Sequence, residues 1–249
     1  MQKNEAVAVV GATSGMGLWL ARHYAAQGYR VGITGRRADI LEQLCAESPM
    51  YTAACFDVAA PDAAEKLCAL LDTLGNVTLV INAAGCGWLN YSLDAEKERR
   101  TALTNTVGFT ATADTAFNWF KNKGIHGQIA AITSVAGTKG LGPSAAYSAS
   151  KRYQSEYLTA LAQLSNIQHL GITVTDIRPG FVATAFLDSD HRYPGLMTLD
   201  HVAPLIARAI ARRRHIAVVD LRWRLLVAVW RRLPLWLWRR LPLRVSTAR

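Results

Sequence analysis

Short apolar runs recur along the whole chain with helical patterns between them, and this alternation decides the fold class. The runs are AVAVVG (6–11), RVGITG (30–35), YTAACFDV (51–58), VTLVIN (77–82), QIAAIT (128–133), ITVTDIRP (172–179) and HIAVVD (215–220). A strand with one wet face alternates apolar and polar residues. A strand covered on both faces does not. Between the runs lie helical stretches such as 16–26, stopped by Gly28, RADILEQLCAE, and 199–214. Strands alternating with helices form a parallel sheet with helices on both sides. The expected fold is therefore α/β: a Rossmann-type, doubly wound parallel sheet of about seven strands. A chain of 249 residues that is 51% hydrophobic can fill one large core of this kind.

In such sheets ligands bind beyond the carboxyl ends of the strands, where the strand order reverses. The first run is followed by GATSGMG, with Gly11, Thr13, Ser14, Gly15, Met16 and Gly17. A glycine turn between strand and helix lets backbone amides face a pyrophosphate. The second run ends in Gly35, Arg36 and Arg37, with no acid to bond a ribose 2′-hydroxyl. Guanidinium forks suit a 2′-phosphate, so the expected cofactor is NADP, as NADPH. Asp57, with Val58 beside it, stands after the third run, where a carboxylate can bond an adenine amino group or cap a helix.

Tyr147 and Lys151 are four residues apart and share one helix face. An ammonium beside a phenol favours the phenolate, which predicts a lowered tyrosine pKa. Such a tyrosine exchanges a proton with a carbonyl oxygen near neutral pH. Ser134, just past the fifth run, can donate to the same oxygen. Four cysteines without C-x-x-C spacing and six scattered histidines form no metal cluster and are consistent with free thiols.

These motifs together resemble a classical short-chain dehydrogenase/reductase over roughly residues 5–220. The resemblance rests on GATSGMG (11–17), NAAG (82–85), TNTVG (104–108), ITSVAG (132–137), YSASK (147–151) and RPGFVAT (178–184), in the family's order. Val10 is a small departure, where the family usually has Thr. The resemblance implies that Tyr147 is the proton donor, aided by Ser134, and that Lys151 also bonds the nicotinamide ribose. It implies that Asn105 holds a water linking Lys151 to solvent. Asn82, Ala83 and Gly85 then pass beside the adenosine ribose, and Pro179, Gly180, Val182 and Thr184 contact the nicotinamide end. The family commonly forms dimers and tetramers through the helices that carry Asn105 and Tyr147, so a homo-oligomer, here a dimer, is expected.

The substrate segment AFLDSDHRYPGLMTL (185–199) offers Phe186, Leu187, Tyr193, Leu196 and Met197 as apolar lining, with Trp88 and Tyr91 as a second wall. No convergent charged pair marks an acid or sugar-phosphate substrate. The expected activity is carbonyl reduction, or the reverse oxidation, on a hydrophobic ketone or alcohol. A nucleotide-sensing or membrane-tethered adaptor that keeps the fold without catalysis, and an assembly subunit recruited by its tail, remain as alternatives.

The tail from Leu221 stands apart. Residues 1–204 carry 16 Lys/Arg and 17 Asp/Glu, a net −1, whereas residues 205–249 carry 12 Arg and one acid, a net +11. The near-neutral body argues against nucleic acid as a partner. This suggests a catalytic, dinucleotide-binding domain over 1–220 and a basic amphipathic helical tail over 221–249. Trp223, Leu226, Val227, Trp230 and Leu233 follow helical spacing, Arg224, Arg231 and Arg232 lie on another face, and Pro234 ends the helix. No apolar run approaches the ~18 residues of a spanning helix. Residues 222–244 suit an anionic membrane surface, or the apolar face packs on the protein itself. The N-terminus has no apolar leader pattern. A cytoplasmic protein is expected, peripheral on the membrane if the tail binds there.

Overall fold

The computed structural model describes residues 5–187 and 191–247. Seven strands form one parallel sheet: β1 (Ala6–Val10), β2 (Arg30–Gly35), β3 (Tyr51–Cys55), β4 (Val77–Asn82), β5 (Gln128–Ile132), β6 (Thr173–Pro179) and β8 (Ile216–Val219). Their order is β3-β2-β1-β4-β5-β6-β8, so the chain reverses direction across the sheet between β1 and β4. The strand expected over 51–58 ends at Cys55, which leaves Asp57 in the loop beyond it while Val58 turns into the core.

The central strands β1, β2, β4, β5 and β6 are largely buried on both faces, as their composition requires, while the edge strands β3 and β8 are partly exposed. In β1, Val7 and Val9 join one core cluster while Ala6, Ala8 and Val10 join the other. The first cluster is covered by α1 (Gly15–Ala26), α2 (Ala38–Glu47) and α7 (Leu199–Ala211). The second is covered by α3 (Ala63–Leu74), α5 (Phe109–Lys123) and α6 (Ala145–Ile167). A short α4 (Ala95–Ala102) leads into α5. The four cysteines are free thiols.

The tail begins with α8 (Leu221–Arg232), capped by Asp220, whose carboxylate accepts from Trp223 N at 3.3 Å. Pro234 ends this helix, and one turn, α9 (Leu235–Trp238), follows. The face carrying Trp223 and Val227 is turned inward and belongs to the first core cluster, with Trp230 packed against it. Trp238 is buried too, and its indole N–H donates to Gly140 O at 2.7 Å. The tail then reaches Tyr91, whose hydroxyl accepts from Val245 N at 3.1 Å. A two-residue strand β9 (Ser246–Thr247) pairs antiparallel with β7 (His191–Arg192), a second small sheet that the apolar pattern does not announce. No helix among the described residues is long and apolar enough to cross a membrane.

Candidate active site

The loops after β1 and β4 meet at the point of reversal. Gly11 has φ +86°, and a Cβ there would stand 2.7 Å from Ala84 N. A Cβ on Gly17 would stand 2.1 Å from Gly11 O. Only glycine permits this close passage, which opens a backbone cradle at the N-terminus of α1. Thr184 faces the cradle, its methyl 3.4 Å from where a Gly15 Cβ would be. Ser14 is exposed there, and Met16 is half-buried behind it.

Beyond β2 the two arginines gather with two residues from other loops. Arg37 donates to Thr13 Oγ1, at 2.9 Å from Nη2 and 3.3 Å from Nε. Arg36 lies 3.6 Å from the Asp57 carboxylate, which also accepts from Ala59 N at 3.0 Å. The cluster places two guanidinium groups beside the cradle, with a carboxylate at its rim. Val58 is buried against the π-helical stretch that leads into α5, where a Cβ on Gly108 would come within 2.8 Å of it. The Asn82 side chain points away from the cleft and donates to Thr112 Oγ1 at 2.6 Å. Ala83 continues the ladder, its N–H donating to Val10 O at 2.8 Å. The β4 end thus presents backbone to the cleft, with Gly85 leaving room: a Cβ there would stand 3.3 Å from Asn105 Oδ1 and 3.4 Å from Lys151 Nζ.

The catalytic candidates converge beyond β4 and β5. Ser134 follows β5 with its hydroxyl accepting from Ala136 N at 3.1 Å, close enough to the Tyr147 hydroxyl to lower its pKa. Tyr147 sits in the first turns of α6, between Gly87 and Phe186. A Cβ on Gly87 would strike the tyrosine ring at 2.3 Å, and the Phe186 ring lies 5.6 Å away, tilted. Lys151 Nζ is 5.7 Å from the centre of the Tyr147 ring.

The lowered tyrosine pKa expected from the Tyr147–Lys151 spacing is not what this pocket produces. Burial pushes the Tyr147 phenol up to about 12, the Ser134 hydrogen bond pulls it down, and Cys86 pushes it up further. Lys151 is itself brought down to about 8 by burial, opposed by Asp176 and Cys86. Desolvation disfavours both charged forms, and at this separation it outweighs their mutual attraction. A protonated tyrosine is the form that can donate to a developing alkoxide.

Asn105 stands in a single π-helical stretch, Leu103–Gly108, between α4 and α5. The wider turn rotates its side chain inward. Its Oδ1 accepts from Cys86 N at 2.9 Å, and its Nδ2 donates to Cys86 O at 2.7 Å and to Ser150 Oγ at 3.0 Å. Its own carbonyl accepts from Gln154 Nε2 at 2.9 Å. The sequence reading did not single out Gln154. Tyr147, Lys151 and Gln154 lie at i, i+4 and i+7 of one helix face, so the spacing could have found it.

Pro179 closes β6, and the chain from Gly180 turns over the cleft. Val182 forms an isolated bridge with Met197, supported by Ala183 N donating to Met197 O at 2.8 Å. Gly180 packs against Trp223, where a Cβ would fall 2.1 Å from the indole. Trp223 also donates to Gly195 O at 3.3 Å. The tail thus braces the segment expected to cover the substrate. Within that segment, positions 188–190 lie outside the described residues.

A family model described as short chain dehydrogenase matches residues 5–193. The chain belongs to the short-chain dehydrogenase family. An uncharacterized oxidoreductase of Myxococcus xanthus is 32% identical over 227 residues, covering 88% of each chain. The serine 3-dehydrogenase of Agrobacterium fabrum is 31% identical over 232 residues, covering 86% of this chain and 91% of the relative. Among solved structures, a variant of the actinorhodin polyketide ketoreductase with NADPH superposes with a TM-score of 0.66 at 29% identity, covering 74% of this chain and 73% of that one. The chain is accordingly an oxidoreductase that uses a nicotinamide cofactor, and its seven-stranded sheet is the family's.

Proposed function

We propose that the protein is an NADPH-dependent carbonyl reductase acting on a hydrophobic ketone, with the catalytic unit over 1–220. The observation that carries this reading is the convergence of Ser134, Tyr147 and Lys151 beside a glycine cradle fitted to a dinucleotide. The cradle would hold the pyrophosphate, the Pro179–Thr184 segment the nicotinamide end, and Arg36 and Arg37 the 2′-phosphate. A nicotinamide cofactor bound there supplies the hydride. Ser134 orients the carbonyl oxygen by donating to it, and Tyr147 delivers the proton from its neutral phenol. Lys151 keeps positive charge beside that oxygen and the ribose.

Support for NADP is the paired guanidinium cluster and the NADPH in the ketoreductase neighbour. Support for an apolar substrate is Phe186, whose partly exposed ring lies 5.6 Å from that of Tyr147. The relatives divide here, one named for serine and one neighbour for a polyketide. The Phe186 ring beside Tyr147 favours the larger apolar ketone. The test is oxidation of NADPH, and separately NADH, with a panel of cyclic and long-chain ketones. NADPH should be preferred, and Tyr147→Phe should lose at least ~10²-fold in turnover. Undiminished activity in that variant, or preference for NADH, overturns the corresponding part.

Two assembly readings accompany this one. Val107, Tyr153, Leu164 and Ile167 leave apolar surface on the π-helical stretch and α6, which supports a homodimer through these helices. A monomeric mass by light scattering at micromolar concentration refutes it. The tail supports a peripheral place on the cytoplasmic membrane face, but of the face first expected only Leu226 remains outward, joined by Leu221, Leu225 and Val229, all exposed among exposed arginines.

A further inference from the structure

We propose that Gln154 is a positioning residue: its side-chain amide ties the Lys151 ammonium to the backbone carbonyl of Asn105 across the floor of the active site. Lys151 Nζ donates to Gln154 Oε1 at 3.0 Å, and Gln154 Nε2 donates to Asn105 O at 2.9 Å. The lysine makes one further bond, to Ile132 O at 3.0 Å. All three side chains are deeply buried, with exposures of 4% for Lys151, 1% for Gln154 and 0% for Asn105. The amide's orientation is dictated by its partners. Lysine only donates and a carbonyl only accepts, so Oε1 must face Lys151 and Nε2 must face Asn105.

Each end of this bridge has a reason to exist. An ammonium taken out of water needs acceptors, and Ile132 O satisfies one of its three donors. The π-helical stretch at Leu103–Gly108 releases the Asn105 carbonyl from regular α-helical pairing and aims it at α6. Without Gln154 that carbonyl and one lysine N–H lose a partner together. The resemblance drawn above assigns the link between Asn105 and Lys151 to a water. Here the link is made by an amide, which accepts from Lys151 without removing its proton. Gln154 therefore sets the lysine's position and charge and conducts no proton.

The charged and titratable groups facing Lys151 are Asp176 from β6, Cys86 after β4 and Tyr147 on α6. None of them is altered by a change at Gln154, so the lysine's own titration isolates the bridge. The full chain is labelled with [ε-13C]lysine, and the Lys151 resonance is assigned by its disappearance in Lys151→Arg. Gln154→Met keeps the shape and removes the acceptor. It should lower the Lys151 midpoint by about one pH unit, a tenfold change in acidity. Gln154→Glu places a carboxylate against the ammonium and should raise the midpoint by at least as much. If Gln154→Met fails to fold, the Glu variant decides alone. A midpoint within about 0.3 of a pH unit of the parent in either folded variant overturns the proposal. The measurement needs neither substrate nor cofactor, so it stands apart from the reductase reading.

Discussion

Lys151 carries the largest electrostatic cost among the catalytic residues, and that cost has a pH signature. Its pKa falls from 10.5 to about 8 on folding, chiefly through burial. Between these values the unfolded chain binds a proton that the folded chain has released. Stability therefore rises with pH across that window, and the penalty is fully present below it. Lys151→Met removes the penalty. At pH 7 the variant should be more stable than the parent by up to about 3 kcal/mol, less whatever its lost hydrogen bonds contribute. The difference should shrink as pH rises towards 10.5. Urea unfolding at both pH values checks this, and a pH-independent difference contradicts it. That Ser134, Tyr147 and Lys151 come together was legible from their spacing joined with the other family motifs, because helix and strand periodicities place such residues without reference to solvent. The direction of the tyrosine shift was not legible. It depends on how many atoms surround the hydroxyl, and Gly87 and Phe186 come from loops that no periodicity registers.

At the scale of elements, the sheet was readable because strands buried on both faces must be apolar throughout, and seven such runs became seven strands. The amphipathic helix at 221–232 was readable too, but its partner was not. Periodicity reports that a face is apolar and says nothing of what covers it. The structure turns Trp223, Val227 and Trp230 onto the body, where Trp223 fills the space over Gly180 and meets Phe181 edge-on at 5.8 Å. Trp223→Ala should cost about 3–5 kcal/mol, the range for deleting a buried aromatic. Leu225→Ala, on the exposed side of the same helix, should cost less than about 0.5 kcal/mol. Denaturant unfolding separates the two, and equal losses refute the packing role. Because Trp223 backs the Pro179–Thr184 segment, Trp223→Ala should also weaken NADPH binding, whereas Leu225→Ala should leave it unchanged.

Taken as a whole molecule, the tail runs along one rim of the active-site mouth. It braces Gly180 and Gly195 through Trp223, meets the loop after β5 through Trp238 and Gly140, and ends against Tyr91. Lys139 fastens it midway, donating to Leu233 O at 2.9 Å. With its inner face consumed, the tail still presents Leu225 at 63%, Val229 at 61% and Trp236 at 62% exposure. Arg222, Arg224, Arg231, Arg232, Arg239 and Arg240 surround them, all exposed. On the membrane reading proposed above, an apolar strip amid these arginines would suit an anionic bilayer, where each arginine near the surface contributes about 1 kcal/mol. Docking there would bring the mouth close to the lipid and let an apolar ketone enter without crossing water. Removing the tail is a poor test, because Trp223 and Val227 belong to the core. The better variant changes only the outer face, with Leu225→Glu, Val229→Glu and Trp236→Glu together. The parent should float with vesicles containing anionic phospholipid at low salt, remain behind with neutral vesicles, and detach at about 0.5 M salt as the charges are screened. The triple variant should keep its unfolding midpoint and stay in solution. A parent chain that never floats, or a triple variant that floats as well as the parent, removes the membrane from the account.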